Sequence, residues 1–285
     1  MGGKLFRNFS FLSATISFFI LIGIFSILFL YAQDAISEFG FDFLFNDVWE
    51  VDEDDEDLGV FGGLIPIIGT MLSTLIAMLI ATPIAMGIAI FLTEIAHKSL
   101  IKPVSIAIEL LAAIPSIIYG MWGLFYFAPV VQSLFGGNGV GLLTAGIVLA
   151  IMIVPFMSAI TRDAMNSVPH VLKESAYAMG ATKFEVIKDV IMPYAKGGII
   201  GSIILALGRA LGETMAVAFL IGSVITVPER ITDPTTSIPV LLANNFAEAQ
   251  GLETSSMYYL ALILFIVSFI IISIAKFIFL RKEVK

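Results

Sequence analysis

Cysteine is missing from all 285 residues, which excludes disulfides, thiolate metal sites and thiol catalysis. Histidine is nearly missing: His97 and His170 are too few for a histidine-rich metal centre. No Gly-Lys-Ser or Gly-Lys-Thr occurs, so the chain has no P-loop of its own. Charge is also scarce. Asp, Glu, Lys and Arg form 13% of the chain, roughly half the ~25% of soluble domains. With 59% hydrophobic residues, this composition belongs in a bilayer.

Long apolar runs are what the chain has in abundance. Six stand out, at about 9–31, 64–95, 103–131, 141–160, 197–224 and 257–280. The first follows Lys4 and Arg7, exceeds a signal-peptide core and lacks a clear small-x-small cleavage site, so it reads as an uncleaved helix. The second is interrupted by Pro83 and is expected to be either a kinked helix or a span with a short amphipathic piece. These runs predict an all-α integral membrane protein with six transmembrane helices. It divides into an N-terminal helix with an acidic loop (1–63) and a transmembrane domain (64–285). The latter contains a polar insertion at 161–196.

Basic residues set the orientation. Thirteen of the fifteen Lys and Arg fall in segments that six spans would place on one side: Lys4, Arg7, Lys98, Lys102, five between Arg162 and Lys196, and Lys276, Arg281, Lys282 and Lys285. That bias predicts both termini in the cytoplasm. The opposite loop, 32–63, holds eleven acids between Asp34 and Asp57, with an unbroken run at Asp52–Asp57 and no basic residue, and is expected to be a solvated, partly mobile loop in preference to a cation site. The apolar stretch 238–249 predicts a short external helix. No internal repeat is evident, which weighs against a secondary transporter.

Two charges interrupt the fifth run. Arg209 lies twelve residues into it, roughly 18 Å along a helix, near the membrane midplane. Glu213 follows at i+4, predicting one shared helix face. Ionisable groups at such depth mark a polar pathway or a buried pairing. Gly208, Gly212 and Ala216 form a small-xxx-small ridge suited to close helix packing. In the third run, Pro115 precedes Ser116 and Tyr119 and predicts a hinge, a polar patch or a packing kink. Glu109 is expected to line an inner vestibule or to pair with a basic residue of 161–196. Glu94, beside His97 and Lys98, reads as an interfacial charge.

The polar insertion is patterned. Glu174 to Gly180 reads as a short helix stopped by glycine, and Thr182 with Glu185 has the spacing of a capping box. Phe184, Ile187, Val190 and Ile191 then recur at helical spacing until Pro193, which is expected to end the helix. Two short helices with a glycine elbow form a knob. Its five basic and four acidic residues nearly balance, whereas a lipid-binding helix is strongly basic, so the knob suits protein docking.

This pattern resembles the permease subunits of binding-protein-dependent ABC importers. Their signature is Glu-Ala-Ala, three variable residues, Gly, nine variable residues, then Ile-x-Leu-Pro. Glu174, Ala176, Gly180 and Pro193 match in register, with Ser175, Val190 and Met192 departing mildly. The resemblance implies a type I ABC importer permease fold in which the knob is a coupling helix. Glu174, Ala176, Gly180 and Pro193 would belong to its contact with a separate ATP-hydrolysing subunit. ATP and Mg would be bound by that partner, leaving this chain without a cofactor and without catalysis. Ala112 to Gly120 and Gly208 to Ala216 are similar to the phosphate-specific (Pst) permeases, the latter more to the C-type than the A-type subunit. This implies a heterodimer with an A-type permease, two ATPase subunits and an external phosphate-binding protein. The setting would be the lipid of a prokaryotic plasma membrane, with no nucleic acid involved.

An arginine offers an anion a planar fork of donors that stays charged. A carboxylate at about 4 Å attracts it by roughly 4 kcal/mol at an effective dielectric near 20, which would temper its grip. The expected pathway residues are Arg209, Glu213, Ser116, Tyr119 and Glu109. Charge alone leaves open a permease for sulfate or molybdate, an ion-coupled secondary transporter or anion channel, and a structural scaffold.

Overall fold

The computed structural model describes residues 2–51 and 59–280, so the acidic run Asp52–Asp57 and the basic tail from Arg281 lie outside the described residues. Six helices among the described residues are long and apolar enough to cross a membrane: Phe6–Tyr31, Leu64–Ile95, Ser116–Phe135, Leu142–Asn166, Lys183–Leu211 and Gly251–Phe277. The chain divides into two compact units.

One unit comprises Met1–Leu64 and Leu242–Val267. Helix α1 (Gly2–Tyr31) is exposed along nearly its whole length, as a lipid-facing helix of Phe, Ile and Leu should be. Its hydroxyls turn back on the preceding turn: Thr15 donates to Phe11 O, Ser17 to Ser13 O and Ser26 to Ile22 O. No polar group is thereby left facing hydrocarbon on their account. The loop beyond is folded where a solvated chain was expected. It forms α2 (Gln33–Phe39), a 3-10 turn (Gly40–Leu44) and an antiparallel pair, β1 (Trp49–Val51) with β2 (Gly59–Phe61), in the register Trp49↔Phe61. The reason is the aromatic residues interleaved with the acids. Phe43 and Phe61 are fully buried, in tilted and edge-to-face contact with Phe39, Trp49 and Tyr259. Polar pins complete it: Tyr259 donates to Gly40 O (3.0 Å), and Trp49 Nε1 donates to Glu253 (3.2 Å).

The other unit comprises Ile65–Leu241 and Ser268–Lys285. It contains α3 (Leu64–Ile90) from Ile65 onward, α4 (Lys98–Ala112), α5 (Ser116–Trp122), α6 (Ala128–Phe135) and α7 (Leu142–Asn166). Then come α8 (His170–Ala178), α9 (Lys183–Glu185), α10 (Met192–Leu211), α11 (Met215–Ala218) and the start of α12 (Ile238–Asn245). The end of α13 (Gly251–Leu280) also belongs here. Helix α7 is its axis and the most buried span. Small residues let neighbours approach it: a Cβ on Gly146 would stand 2.6 Å from Ile76 of α3. Pro83 is absorbed inside one continuous α3, so the second run is a single helix. The helical turn predicted at 238–249 is α12, whose first four residues are buried.

Two spans differ from the sequence expectation. The third begins at Ser116, because α4 ends at Ala112 and Pro115 blocks its continuation, leaving α4 as a separate helix. The fifth runs Lys183–Leu211 and ends well before residue 224. Pro193 does not terminate it. Val186–Ile191 forms a π turn, and Pro193 then occupies the first turn of α10, where its missing N–H matters least.

Candidate functional site

The break after α10 organises the site. Leu211 is its last helical residue, Gly212 turns the chain at φ −97°, ψ 3°, and α11 starts only at Met215. Non-helical backbone at membrane depth is tolerated where protein supplies its hydrogen-bond partners. At the break Gly212 is exposed and Glu213 N donates to Ala210 O (3.4 Å), and beyond α11 the chain finds partners in other segments. Gly141 N donates to Leu220 O (2.8 Å), Leu142 N to Asp233 O (3.1 Å), Leu143 N to Ile231 O (2.7 Å) and Thr235 N to Ile221 O (2.9 Å). Leu220 and Ile221 are fully buried.

Arg209 therefore occupies the last turn of α10, where a cation complements the free carbonyls, and not the middle of a longer helix. Counted from Met192 it lies roughly 26 Å along α10, near the end remote from the 161–196 insertion. The shared face with Glu213 does not exist either. Glu213 sits beyond the break, and its Oε1 accepts from Ala216 N (3.3 Å), capping α11. Among the described residues no ion pair joins Glu213 to Arg209, nor does Arg209 pair with any other carboxylate. The half-buried guanidinium instead lies 5.4 Å from the ring centroid of Phe156 on α7, a cation–π contact. The predicted small-residue ridge is likewise split. Gly208 faces Ile272, whereas Ala216 packs against Gly120.

That second contact draws α5 into the site. A Cβ on Gly120 would stand 3.0 Å from Ala216 Cα and 2.9 Å from the Phe219 side chain, so α5 and α11 meet backbone to backbone. Tyr119, one residue earlier, is buried and is an electrostatic neighbour of Arg209. Its hydroxyl donates to Leu111 O (2.8 Å), one of the carbonyls exposed where α4 ends. Ser116 opens α5 and is half-buried. Glu109 stands elsewhere: it is exposed on α4 and pairs with Arg162 at 3.3 Å, the second of its two expected placements.

The 161–196 insertion forms the predicted knob. Helix α8 ends in a turn through Gly180, whose φ of +88° is natural only for glycine. The capping box is complete, with Thr182 Oγ1 accepting from Glu185 N and Glu185 Oε2 accepting from Thr182 N. Val186 and Ile191 are fully buried with Met165, Val168 and Ala89, fixing the knob to the spans. Its outer surface is different. Glu174, Gly180 and Pro193 are exposed and Ala176 half-buried, beside Met179 and Phe184 at 87% and 70% exposure. Apolar side chains that open, rimmed by charge, mark a surface awaiting a partner.

Residues 84–284, which include both the knob and the broken helix, match the binding-protein-dependent transport system inner membrane components. The chain belongs to this family. It is 46% identical to the phosphate transport system permease protein PstC of Pasteurella multocida, across 99% of this chain and 92% of that protein. It is 43% identical to the PstC of Haemophilus influenzae, across 98% and 94%. Two solved structures share its fold. One is the MetNI methionine ABC transporter in an inward-facing conformation, at 21% identity and TM-score 0.61 over 75% of this chain and 92% of that one. The other is a bacterial alginate ABC transporter in complex with an alginate pentasaccharide-bound periplasmic protein, at 15% and 0.63 over 95% and 93%. The protein is thus a multi-pass membrane protein with the permease fold of ABC transporters.

Three features of the permease escaped the sequence. Phe156 follows Pro155 in an apolar run and carries no sign of lying under a cation. Arg162 is one charge of the insertion among several. Glu94 and Lys173 are 79 positions apart yet form an ion pair of 2.6 Å. Only the folded chain brings such groups together.

Proposed function

We propose that this chain is the membrane-spanning permease subunit of an ATP-driven importer of inorganic phosphate. It hydrolyses nothing itself. Its termini face the cytoplasm, and it pairs with an A-type permease, two ATPase subunits and an external phosphate-binding protein. The relatives named PstC support the cargo, and the Lys and Arg distribution supports the orientation.

One observation carries the pathway: Arg209 ends a broken membrane helix with no carboxylate paired to it among the described residues. A cation–π contact uses the charge of the guanidinium but supplies no acceptor to its N–H groups. The fork remains able to take two phosphate oxygens. Tyr119 and Glu213 flank the same break, Tyr119 as a spacer that holds α5 against α4 and Glu213 as a nearby negative charge that limits how tightly an anion is retained. Ser116 borders this patch. Glu109 and Arg162 sit apart, toward the knob. ATP-driven movement of the ATPase subunits reaches the spans through Glu174, Ala176, Gly180 and Pro193, and alternately opens the path past Arg209 to either side.

Reconstituting the four-component complex in liposomes and measuring ATP-dependent uptake of phosphate against sulfate tests this reading. Uptake of phosphate that needs ATP and binding protein, and that falls in Arg209→Ala, supports it. Preferred uptake of sulfate or molybdate reassigns the cargo. Transport by this chain alone under an ion gradient sinks the importer reading in favour of a secondary transporter or channel.

A further inference from the structure

The knob must hold on to the spans it moves, and helix α8 has little with which to do so. None of its residues is fully buried. Its two adjacent charged residues divide between opposite surroundings. Glu174 is exposed, whereas Lys173 turns inward, its side chain 14% exposed. Lys173 Nζ donates to Glu94 Oε1 at 2.6 Å, and the Glu94 side chain is only 9% exposed. Among the described residues this is the one side-chain hydrogen bond or ion pair from α8 to another span.

Glu94 is set in a π turn, Phe91–Ile95, which closes the helix begun by α3. That turn is fixed from within: Leu92 is buried, and the Thr93 hydroxyl donates to Ala89 O at 2.9 Å. π turns interrupt helices most often where function requires it. The second charge contact of the region is weaker in kind. Arg162 meets a Glu109 side chain that is 58% exposed, so water and salt screen it. A short pair shielded on both sides has direction and is not screened, and apolar contacts such as those of Ala176 lack that direction.

We infer that Lys173 and Glu94 form the strut by which displacement of α8 is delivered to the cytoplasmic end of α3. Each is a positioning residue acting on the transport cycle from a distance, since neither lies at the Arg209 break. Glu174 faces the ATP-hydrolysing partner and Lys173 faces α3, so neighbouring side chains receive and pass on one movement. The inference rests on the proposal that α8 docks on that partner.

The test uses the whole complex in liposomes and reads phosphate taken up per ATP hydrolysed. In Glu94→Gln and Lys173→Met this ratio is expected to fall about ten-fold, the scale of an inter-site coupling, with hydrolysis retained. The exchange Glu94→Lys with Lys173→Glu restores the pair and should recover most of the loss. Where a single variant fails to assemble, Glu94→Asp keeps the charge but withdraws the carboxylate by about one bond length, and an intermediate fall is expected. An unchanged ratio in the single variants or in Glu94→Asp overturns the strut, as does an exchange no better than the single changes. Glu174→Lys separates the two layers of inference. If it uncouples uptake while Glu94 and Lys173 variants do not, the strut is wrong and docking stands. If it too leaves uptake and hydrolysis unchanged, docking itself is wrong.

Discussion

Replacing Arg209 with alanine removes two things at once, and their magnitudes are close enough to need separating. The first is a set of donors for the passing anion. A hydrogen bond between charged partners is worth about 1.5–3 kcal/mol, and at about 1.4 kcal/mol per factor of ten this becomes a roughly 10- to 150-fold loss of uptake at limiting phosphate. The second is structural. The cation–π contact to Phe156 at 5.4 Å contributes about 0.5–2 kcal/mol, and a cation in the last turn of α10 a further 0.3–1 kcal/mol or about that. Both structural contributions vanish in Arg209→Ala and would appear as lowered thermal stability.

Phe156→Leu tells them apart. It withdraws the aromatic face and leaves the guanidinium in place, so stability falls while ATP-dependent phosphate uptake stays within a few-fold of wild type. Arg209→Lys keeps a cation but not the fork, and its uptake should lie between wild type and alanine. The assay is initial-rate uptake of labelled phosphate into proteoliposomes, with ATP hydrolysis and melting temperature measured on the same preparation. Equal uptake in Arg209→Ala and wild type, in complexes of equal amount, refutes the pathway role. So does a Phe156→Leu variant as defective as Arg209→Ala, which would make the arginine a packing group.

Three further outcomes follow from other contacts. Tyr119→Phe loses the bond to the Leu111 carbonyl at the end of α4, which keeps a longer bond from Ile114 N at 3.3 Å, so stability should drop by about 0.5–1.5 kcal/mol; a stability equal to wild type would show that the hydroxyl adds nothing to the Ile114 bond. Gly120→Val forces atoms into the α5–α11 contact, where even a Cβ meets Ala216 Cα at 3.0 Å, and a cost of about 1–3 kcal/mol is expected in a melting assay. Phe184→Asp charges the exposed apolar surface of the knob. It should weaken retention of the ATPase subunits on an affinity column while the permease itself melts normally, and undiminished retention would place the docking surface elsewhere.

What the sequence discloses here is whatever depends on local order along the chain. Apolar runs of sufficient length located six spans, and Thr182 with Glu185 located a capping box because both partners lie within one turn. The knob was legible for the same reason, since Gly180 and the residues around it act on their own backbone. The folding of the acidic loop was missed because Phe43, Phe61 and Tyr259 meet from distant positions. The Glu94–Lys173 pair was missed on the same ground. The end of the fifth span was missed for a subtler reason. Most residues from Leu211 to Val224 are as apolar as a helix requires, yet part of their backbone is non-helical and finds its hydrogen-bond partners in other segments of the protein. Hydropathy reports that a segment avoids water and cannot say which way its backbone turns.

The same error relocated Glu213, and correcting it changes the chemistry expected of the pair. An i+4 spacing fixes two side chains together only while the helix continues through both. Arg209 lies in the last turn of α10 and Glu213 in the non-helical link between α10 and α11, so the geometry of the break sets their separation. Gly212→Ala tests this directly. The φ of −97° admits an alanine, and the nearest atom to its Cβ would be Gly208 O at 3.8 Å, so the substitution fits the observed structure. It also raises helix propensity by about 1 kcal/mol, favouring continuation of α10 and bringing the carboxylate of Glu213 within reach of Arg209. Half-maximal uptake should then require several-fold more phosphate, because the fork is partly occupied from within. Adding Glu213→Gln should reverse that shift. A Gly212→Ala permease with unchanged phosphate dependence would mean that the break owes nothing to the glycine and is imposed by the packing of α5 against α11.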